Sequence, residues 1–502
     1  MLNKPTMTRR DLLKRSLAAA AGTALLPGAL GAAPRGSKPN VVLILIDDLS
    51  AQALSCYGGA SHRTPNIDKL AASGMLFEHC HSMPMCGPSR AVLMTGKHRF
   101  RFPAAVPSNV RFMGNIFQGL GYKTAITGKW MVGKLDPVRR GFHEALVQVN
   151  GYRFWDGAFV AFGSRGLFKE LNQPDGARIR NEWAVPLGGG REKATLLQGE
   201  YAPGKLCDFA CDFIRRRAKE PFLLYYPLKL VHAPFVPTPQ SKDYSEEDKL
   251  IEHDPKLMGK MLTGLGDARR FAGDMLDYVD KILGRVIDTL KKEGVFENTI
   301  LLLASDNGLH RMKVRPGVRQ IPGQKGTPLD GATRVPLIVS WPGVVKPGSR
   351  CGNMVQFVDI LPTLVEATGG KLPDDDVFDG VSFLPQLKGE RGTPRQWVYF
   401  HGGNHEKPTS EALAGVASYP YDRKNPPLLR WVRGPRYKLY NDARFHNLET
   451  DYAEKHPIRP GGGTQAAEAE RRALQAVLDR YGDKAEWAPH WRTKVEPRHE
   501  YQ

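Results

Sequence analysis

Two apolar rhythms alternate along the chain. Val41–Ile46 is an unbroken run, VVLILI, of β-branched residues and leucine bounded by polar positions. With no position left to face water, it predicts a parallel strand covered on both faces. Thr299–Ala304 repeats the pattern, and Lys123–Thr127, Phe222–Tyr226 and Val335–Trp341 are shorter candidates. Between these runs the spacing becomes helical. Thr64-Pro65 opens a helix over Asn66–Ser73. Within Asp267–Glu293, Phe271, Met275, Val279, Ile282, Val286 and Leu290 share one helix face, which Gly294 closes. Alternating strands and helices predict an α/β fold, a large mostly parallel sheet sandwiched by helices, over residues 38–388. From about Gly389 the pattern changes. Residues 396–401, 429–433 and 436–440 read as short strands between Gly/Pro turns, followed by a helix over Gln465–Tyr481. Residues 389–502 are therefore expected to form a smaller α+β subdomain with an antiparallel sheet.

Composition narrows the class. Hydrophobic residues at 41% and charged residues at 25% exclude fibrous and wholly disordered chains. Mean hydropathy is −0.38, and no segment is long and apolar enough to predict a membrane span. Residues 1–33 carry a twin arginine, Arg9-Arg10, then an uncharged Ala/Gly/Leu run and small residues at Ala29 and Gly31–Ala33. That order predicts an export signal of the twin-arginine type, and so a periplasmic or extracellular protein. The net charge of +19 is lowered little by removing that segment, which holds five basic residues and one acid; the rest keeps +15. Such a field favours polyanionic partners. Export, and the lack of a binding motif, argue against nucleic acid. The six cysteines include no pair with zinc spacing. Cys207 and Cys211 sit on an apolar helical face with Phe209, Ala210, Phe213 and Ile214 and read as small core residues.

Acidic residues cluster where the two strongest strands end. Asp47-Asp48 follow the first, and Ser305-Asp306-Asn307-Gly308 follow the second. In open sheets ligands bind beyond the carboxyl ends of strands. Asp47, Asp48, Asp306 and Asn307 offer only oxygen, which suits a hard cation, calcium rather than zinc. A pair of acids at one strand end can equally cap the next helix. Cys86-Gly87-Pro88-Ser89-Arg90 precedes an apolar stretch. Pro88 suits a first helical position, which sets Cys86 just before a helix N-terminus, with Arg90 one turn in to brace an anion. A thiol there reads either as an acidic nucleophile or as a buried cysteine in a proline turn.

Cys86-Gly87-Pro88-Ser89-Arg90, followed by Leu93-Met94-Thr95-Gly96, resembles the signature of the type I sulfatases of the alkaline-phosphatase-like superfamily. The resemblance extends through Thr64–Asp68, Thr127-Gly128-Lys129-Trp130, Val231–Phe235, Ser305–Gly308, Lys325-Gly326-Thr327, Arg334–Ile338 and Tyr437-Lys438-Leu439-Tyr440 to Asn447-Leu448. It implies a sulfuric ester hydrolase in which a maturation enzyme converts Cys86 to Cα-formylglycine. It further implies one calcium ion held by Asp47, Asp48, Asp306, Asn307 and modified Cys86. Arg90 would stabilise the aldehyde hydrate; Lys129, His232 and Lys325 would bind sulfate, with His232 or Lys325 protonating the leaving oxygen. One position departs from the family pattern: where a histidine usually follows the Gly-Lys-Trp, this chain has Met131, and His310 is the candidate replacement. Two rivals stand beside this reading, a phosphonate monoester or phosphodiester hydrolase and a silent glycan-binding protein. The implied substrate is a sulfated carbohydrate or a small sulfate ester. The aromatic and arginine-rich segment 139–191 (Arg139, Arg140, Tyr152, Phe154, Trp155, Arg165, Trp183) reads either as a sugar subsite or as ordinary loop packing.

Overall fold

A computed structural model describes residues 38–59, 62–102, 106–132, 137–148, 154–155, 158–162, 195–196, 200–250, 271–308, 321, 323, 325–401 and 429–481. The export segment 1–33, His310, Tyr152, Arg165 and Trp183 lie outside the described residues. The strands of the main sheet are β1 (Asn40–Ile46), β2 (Met75–His81), β3 (Lys123–Gly128), β4 (Glu144–Gln148), β5 (Ala158–Phe162), β6 (Thr195–Leu196), β7 (Phe222–Pro227), β8 (Thr299–Ser305), β9 (Arg334–Ser340) and β10 (Ser349–Gln356). Their order across the sheet is β10-β2-β9-β8-β1-β7-β3-β4-β5-β6. The run β8-β1-β7-β3-β4 is wholly parallel, as is β10 with β2. β9 runs antiparallel to both β2 and β8, and β5 is antiparallel to both β4 and β6.

Strand β1 shows why its sequence is apolar throughout. Val41, Leu43 and Leu45 enter one core with helices α2 (Cys86–Thr95), α3 (Met113–Gly119) and α7 (Ile360–Ala367). Val42, Ile44 and Ile46 enter the other, with α1 (Pro65–Ser73), α4 (Ala202–Arg217) and α5 (Ala272–Lys292). Side chains of a strand alternate in direction, so a central strand needs an apolar residue at every position. Helix α5 buries Met275, Val279, Ile282, Val286 and Leu290 along one face, as its spacing predicts, while Phe271 is buried at its N-cap. Cys207 and Cys211 are buried on α4, in the core role expected of them.

Several elements were not visible in the pattern. β2 (MLFEHCH) and β10 (SRCGNMVQ) mix polar and apolar residues, and their apolar periodicity is too short to register. Helix α2 begins at Cys86 itself, with Met85 as N-cap, so Pro88 is the third helical residue and not the first. The reason is that the first four N–H groups of a helix have no partner within it, so a proline there costs no hydrogen bond.

A second sheet is antiparallel, in the order β11 (Val398–His401), β12 (Arg430–Arg433), β13 (Tyr437–Tyr440), β14 (Phe445–Asn447). It packs against helix α8 (Gln465–Arg480) through Val432, Leu439, Phe445, Leu474 and Leu478. Thr464 caps α8, its hydroxyl accepting from the Ala467 N–H at 3.2 Å. Among the described residues no helix is long and apolar enough to cross a membrane.

Candidate active site

Four adjacent parallel strands end at the same edge of the sheet, and each delivers part of one cluster. β8 ends in Asp306-Asn307, β1 in Asp47-Asp48, β7 leads into Leu228–His232, and β3 ends at Gly128-Lys129. Backbone bonds fix these tips against each other. The Asp306 N–H donates to the Ile46 carbonyl at 2.9 Å, Asp47 N–H to Leu230 O at 2.9 Å, and Lys129 N–H to Pro227 O at 2.8 Å. Gly128 is required at its position. Its φ is +126°, and a Cβ would stand 2.0 Å from the Pro227 carbonyl oxygen. The Ser305 hydroxyl accepts from the Leu49 N–H and donates to the Asn307 carbonyl, which stitches the two acidic tips together.

The remaining members arrive from elsewhere. Cys86 and Arg90 stand on the first turns of α2, both buried. Ser89 serves the loop: its hydroxyl accepts from the Met83 N–H and lies within bonding distance of the Met83 and Met85 carbonyls. Lys325 comes from the segment before α6 (Asp330–Thr333), and its ammonium donates to Asp48 Oδ1 at 2.6 Å. Lys129 Nζ pairs with Asp47 Oδ2 and lies 3.7 Å from Cys86 Sγ. His232 Nε2 is 3.7 Å from Asp48 Oδ2. Arg90 bonds Asp306 Oδ2 through Nε at 2.9 Å and Nη2 at 2.7 Å, and donates to the Lys129 carbonyl at 2.6 Å. All nine candidates, Asp47, Asp48, Cys86, Arg90, Lys129, His232, Asp306, Asn307 and Lys325, are thus brought into one cluster.

The electrostatics show what the cluster lacks. Burial raises the Asp306 carboxyl, and the Asp47 and Asp48 charges add to that rise against Arg90 and Lys129. Burial works the same way on Asp47, but there Lys129, His232, Arg90 and Lys325 win and hold it far below the usual carboxylate range. Arg90, Lys129 and Lys325 pair with Asp306, Asp47 and Asp48, so the three carboxylates are balanced in charge. Even so, Asp47 Oδ1, Asp48 Oδ2 and Asn307 Oδ1 are buried without a hydrogen-bond donor. Buried acceptors left unpaired are costly, and oxygens of this kind are what a hard divalent cation takes. Ligand atoms of Asp47, Cys86 and Asp306 lie within 4.8 Å of one another, as do those of Asp47, Asp48 and His232. The donor set fits a calcium-like ion.

Of the two readings of the Cys86 thiol, the buried cysteine is favoured over the acidic nucleophile. Burial raises its thiol pKa, and Asp47 and Asp306 reinforce the rise against Lys129 and Lys325. The helix N-terminus and the lysines do not make it an acidic thiol, because desolvation of the thiolate dominates. His232 is pushed down to about 4 by burial and by the lysines, against the pull of Asp48 and Asp47. Met131 is half exposed, with φ +49°, and its carbonyl faces Gly87. In the 139–191 segment, Arg140, Phe154 and Trp155 are buried. Arg140 donates to the Ser108, Val110 and Pro107 carbonyls and covers the Phe112 ring, so these three serve packing.

Residues 39–370 match the family model described as Sulfatase, and residues 325–423 match that of the N-sulphoglucosamine sulphohydrolase C-terminal region. The chain is 28% identical to human arylsulfatase D over 448 residues, covering 73% of this chain and 72% of that protein. It is 27% identical to dog (Canis lupus familiaris) N-acetylgalactosamine-6-sulfatase over 423 residues, covering 77% and 74% of the two chains. Its fold is similar to that of Ps i-CgsB in complex with a neocarrahexaose, with TM-score 0.67, 23% identity and coverage of 93% and 99%. It is also similar to a structure in complex with its substrate D-glucosamine-2-N,6-O-disulfate, with TM-score 0.65, 20% identity and coverage of 91% and 100%. With that family model spanning most of the chain and the whole of its larger sheet, the protein belongs to the sulfatase family of enzymes.

Proposed function

We propose that this enzyme hydrolyses the sulfate ester of a carbohydrate or a small alcohol, using Cα-formylglycine matured from Cys86 and one calcium ion. The observation that carries the reading is the set of donor-less oxygens, Asp47 Oδ1, Asp48 Oδ2 and Asn307 Oδ1, at the strand tips where ligand atoms of Asp47 and Asp306 meet Cys86. Asp47, Asp48, Asp306 and Asn307 would hold the cation together with an oxygen of modified Cys86. When bound, calcium supplies Lewis acidity toward a sulfate oxygen and lowers the pKa of an attacking hydroxyl. The hydrated aldehyde supplies one hydroxyl to attack sulfur and a second to release sulfate, which serine lacks.

The chain's own groups surround that chemistry with positive charge. Lys129 and Lys325 pair with Asp47 and Asp48. With a divalent ion held by those carboxylates, the two ammonium groups would be free to bind sulfate oxygens. Arg90 keeps Asp306 in place and would brace the hydroxyls of modified Cys86. Burial and the neighbouring lysines favour the neutral His232 imidazole, against the pull of Asp48 and Asp47. His232 or Lys325 would donate the proton to the leaving oxygen. Met131 cannot transfer a proton.

The wider context supports a carbohydrate substrate. The +15 charge outside residues 1–33 attracts polyanions, and two similar structures hold saccharide ligands. Residues 1–33 would direct export to the periplasm or beyond, a formylglycine-generating enzyme would mature Cys86, and the chain would divide into a catalytic domain (38–388) and a C-terminal subdomain (389–502).

Mass spectrometry of the peptide containing Cys86, on protein co-expressed with a maturation enzyme, tests the reading together with paired aryl esters. Aldehyde in place of thiol, turnover of 4-nitrophenyl sulfate over 4-nitrophenyl phosphate, and its loss in Cys86→Ala are expected. An intact thiol in fully active enzyme, or a preference for phosphate, overturns it. A panel of defined sulfated saccharides then identifies the natural ester.

A further inference from the structure

The Tyr437-Lys438-Leu439-Tyr440 segment lies on β13 in the C-terminal sheet, and the chemistry above gives it no role. Lys438 is nevertheless a fully buried ammonium. It makes two hydrogen bonds: one to Glu454 Oε1 at 2.7 Å and one to the Pro328 carbonyl at 2.6 Å. Tyr440 donates to the other Glu454 oxygen. Glu454 is itself buried, and its φ is +57°, a left-handed conformation a glutamate rarely adopts. Such a conformation persists only where surrounding contacts over-determine it.

Pro328 is three residues from Lys325. Two residues past Pro328, Asp330 forms a second buried ion pair with Arg433 of β12, at 3.0 Å. The C-terminal sheet thus grips the segment after Lys325 at two points. The far side of the same segment meets the site. The Gly326 N–H donates to the Pro84 carbonyl at 2.8 Å, two residues before Cys86. Gly308 N–H, next to Asn307, donates to the Ala332 carbonyl at 2.8 Å. Burying two ion pairs is a costly way to pack a sheet, since apolar residues of similar size often serve stability as well or better. What charges add here is fixed geometry.

We propose that Lys438, held by Glu454 and Tyr440, is a positioning residue for Lys325, locking the 325–330 segment through the Pro328 carbonyl while Arg433 holds Asp330. The inference rests on the reading of Lys325 as a sulfate-binding group. It makes the C-terminal sheet part of the machinery although no side chain of that sheet enters the cluster around Cys86.

A double-mutant cycle on matured full-length enzyme tests it. Lys438→Met/Glu454→Gln removes both charges and leaves no ion unpaired, and kcat/KM for 4-nitrophenyl sulfate is measured with and without Lys325→Ala. The expected result is a loss of ten-fold or more in the wild-type background and of less than two-fold when Lys325 is already alanine. Equal losses in the two backgrounds, or no loss at all, overturn the inference while leaving the role of Lys325 intact. Full turnover in Lys325→Ala alone overturns the reading of Lys325, and the inference with it. Should the paired variant fail to fold, Lys438→Arg keeps the charge on Glu454 but displaces the donor to Pro328. A smaller loss that again vanishes with Lys325→Ala is then expected, and one that persists overturns the proposal.

Discussion

Arg90 has no exposed side-chain surface, and its guanidinium engages Asp306 twice, Asp47 once and two carbonyls. Lysine could not reproduce that fork of donors. In Arg90→Met, Asp306 stays buried beside Asp47 with its main counter-charge gone. Breaking a buried pair on one side costs about 3–5 kcal/mol, and denaturant unfolding of chelator-treated protein should show a loss of that size. Saturating calcium should shrink the difference, because a divalent ion on the same carboxylates supplies the missing charge. At this scale Asp47, Asp48, Cys86, Asp306 and Asn307 were all legible as candidates, since oxygen donors at strand ends and the Cys-Gly-Pro-Ser-Arg run are local signals. The raised thiol pKa was not legible, because it arises from burial and from carboxylates distant in sequence.

The elements matter through how closely their ends approach. Gly308 follows Asn307, and a Cβ on it would lie 1.7 Å from the Gly331 carbonyl oxygen, a backbone atom that cannot swing aside. Gly308→Ala should therefore cost on the order of 1–3 kcal/mol by overpacking, and move Asn307 away from its oxygen partners. Calorimetric titration with calcium should show weaker binding, while a substitution at the solvent-facing Gly294, which nothing crowds, should leave affinity unchanged. Strands β1 and β8 were readable because their sequences are apolar at every position. β2 and β10 were not, since half-polar strands become strands only by pairing with neighbours.

For the whole molecule, buried histidines set the response to acid. Burial, together with Arg395 and Arg101, pushes His98 down to about 3 against the pull of Asp379; burial likewise brings His79 and His401 to about 4. In the unfolded chain these rings take a proton near 6.5. Between that pH and the folded-state values, the unfolded state binds more protons, so stability falls as pH falls. For His98 alone the slope rises through pH 6.5, approaches about 1.4 kcal/mol per pH unit midway between the two values, and ends near 3. Thermal unfolding followed from pH 7 to pH 4 should show this decline, and His98→Phe, placed among Phe100, Tyr399 and Tyr481, should flatten it.

The sequence by itself determined the fold class and the residues that are candidates for metal-binding and nucleophilic chemistry, because continuous apolar runs and short motifs express themselves locally. Only the tertiary structure decided that β8, β1, β7 and β3 stand side by side, so that their four tips bring the candidate residues into one cluster. It alone linked Lys438 and Arg433 to Pro328 and Asp330, more than 100 residues earlier. Such pairings depend on strand order and chain return, which no local periodicity encodes, and buried charges choose their partners only once the sheets that carry them have packed.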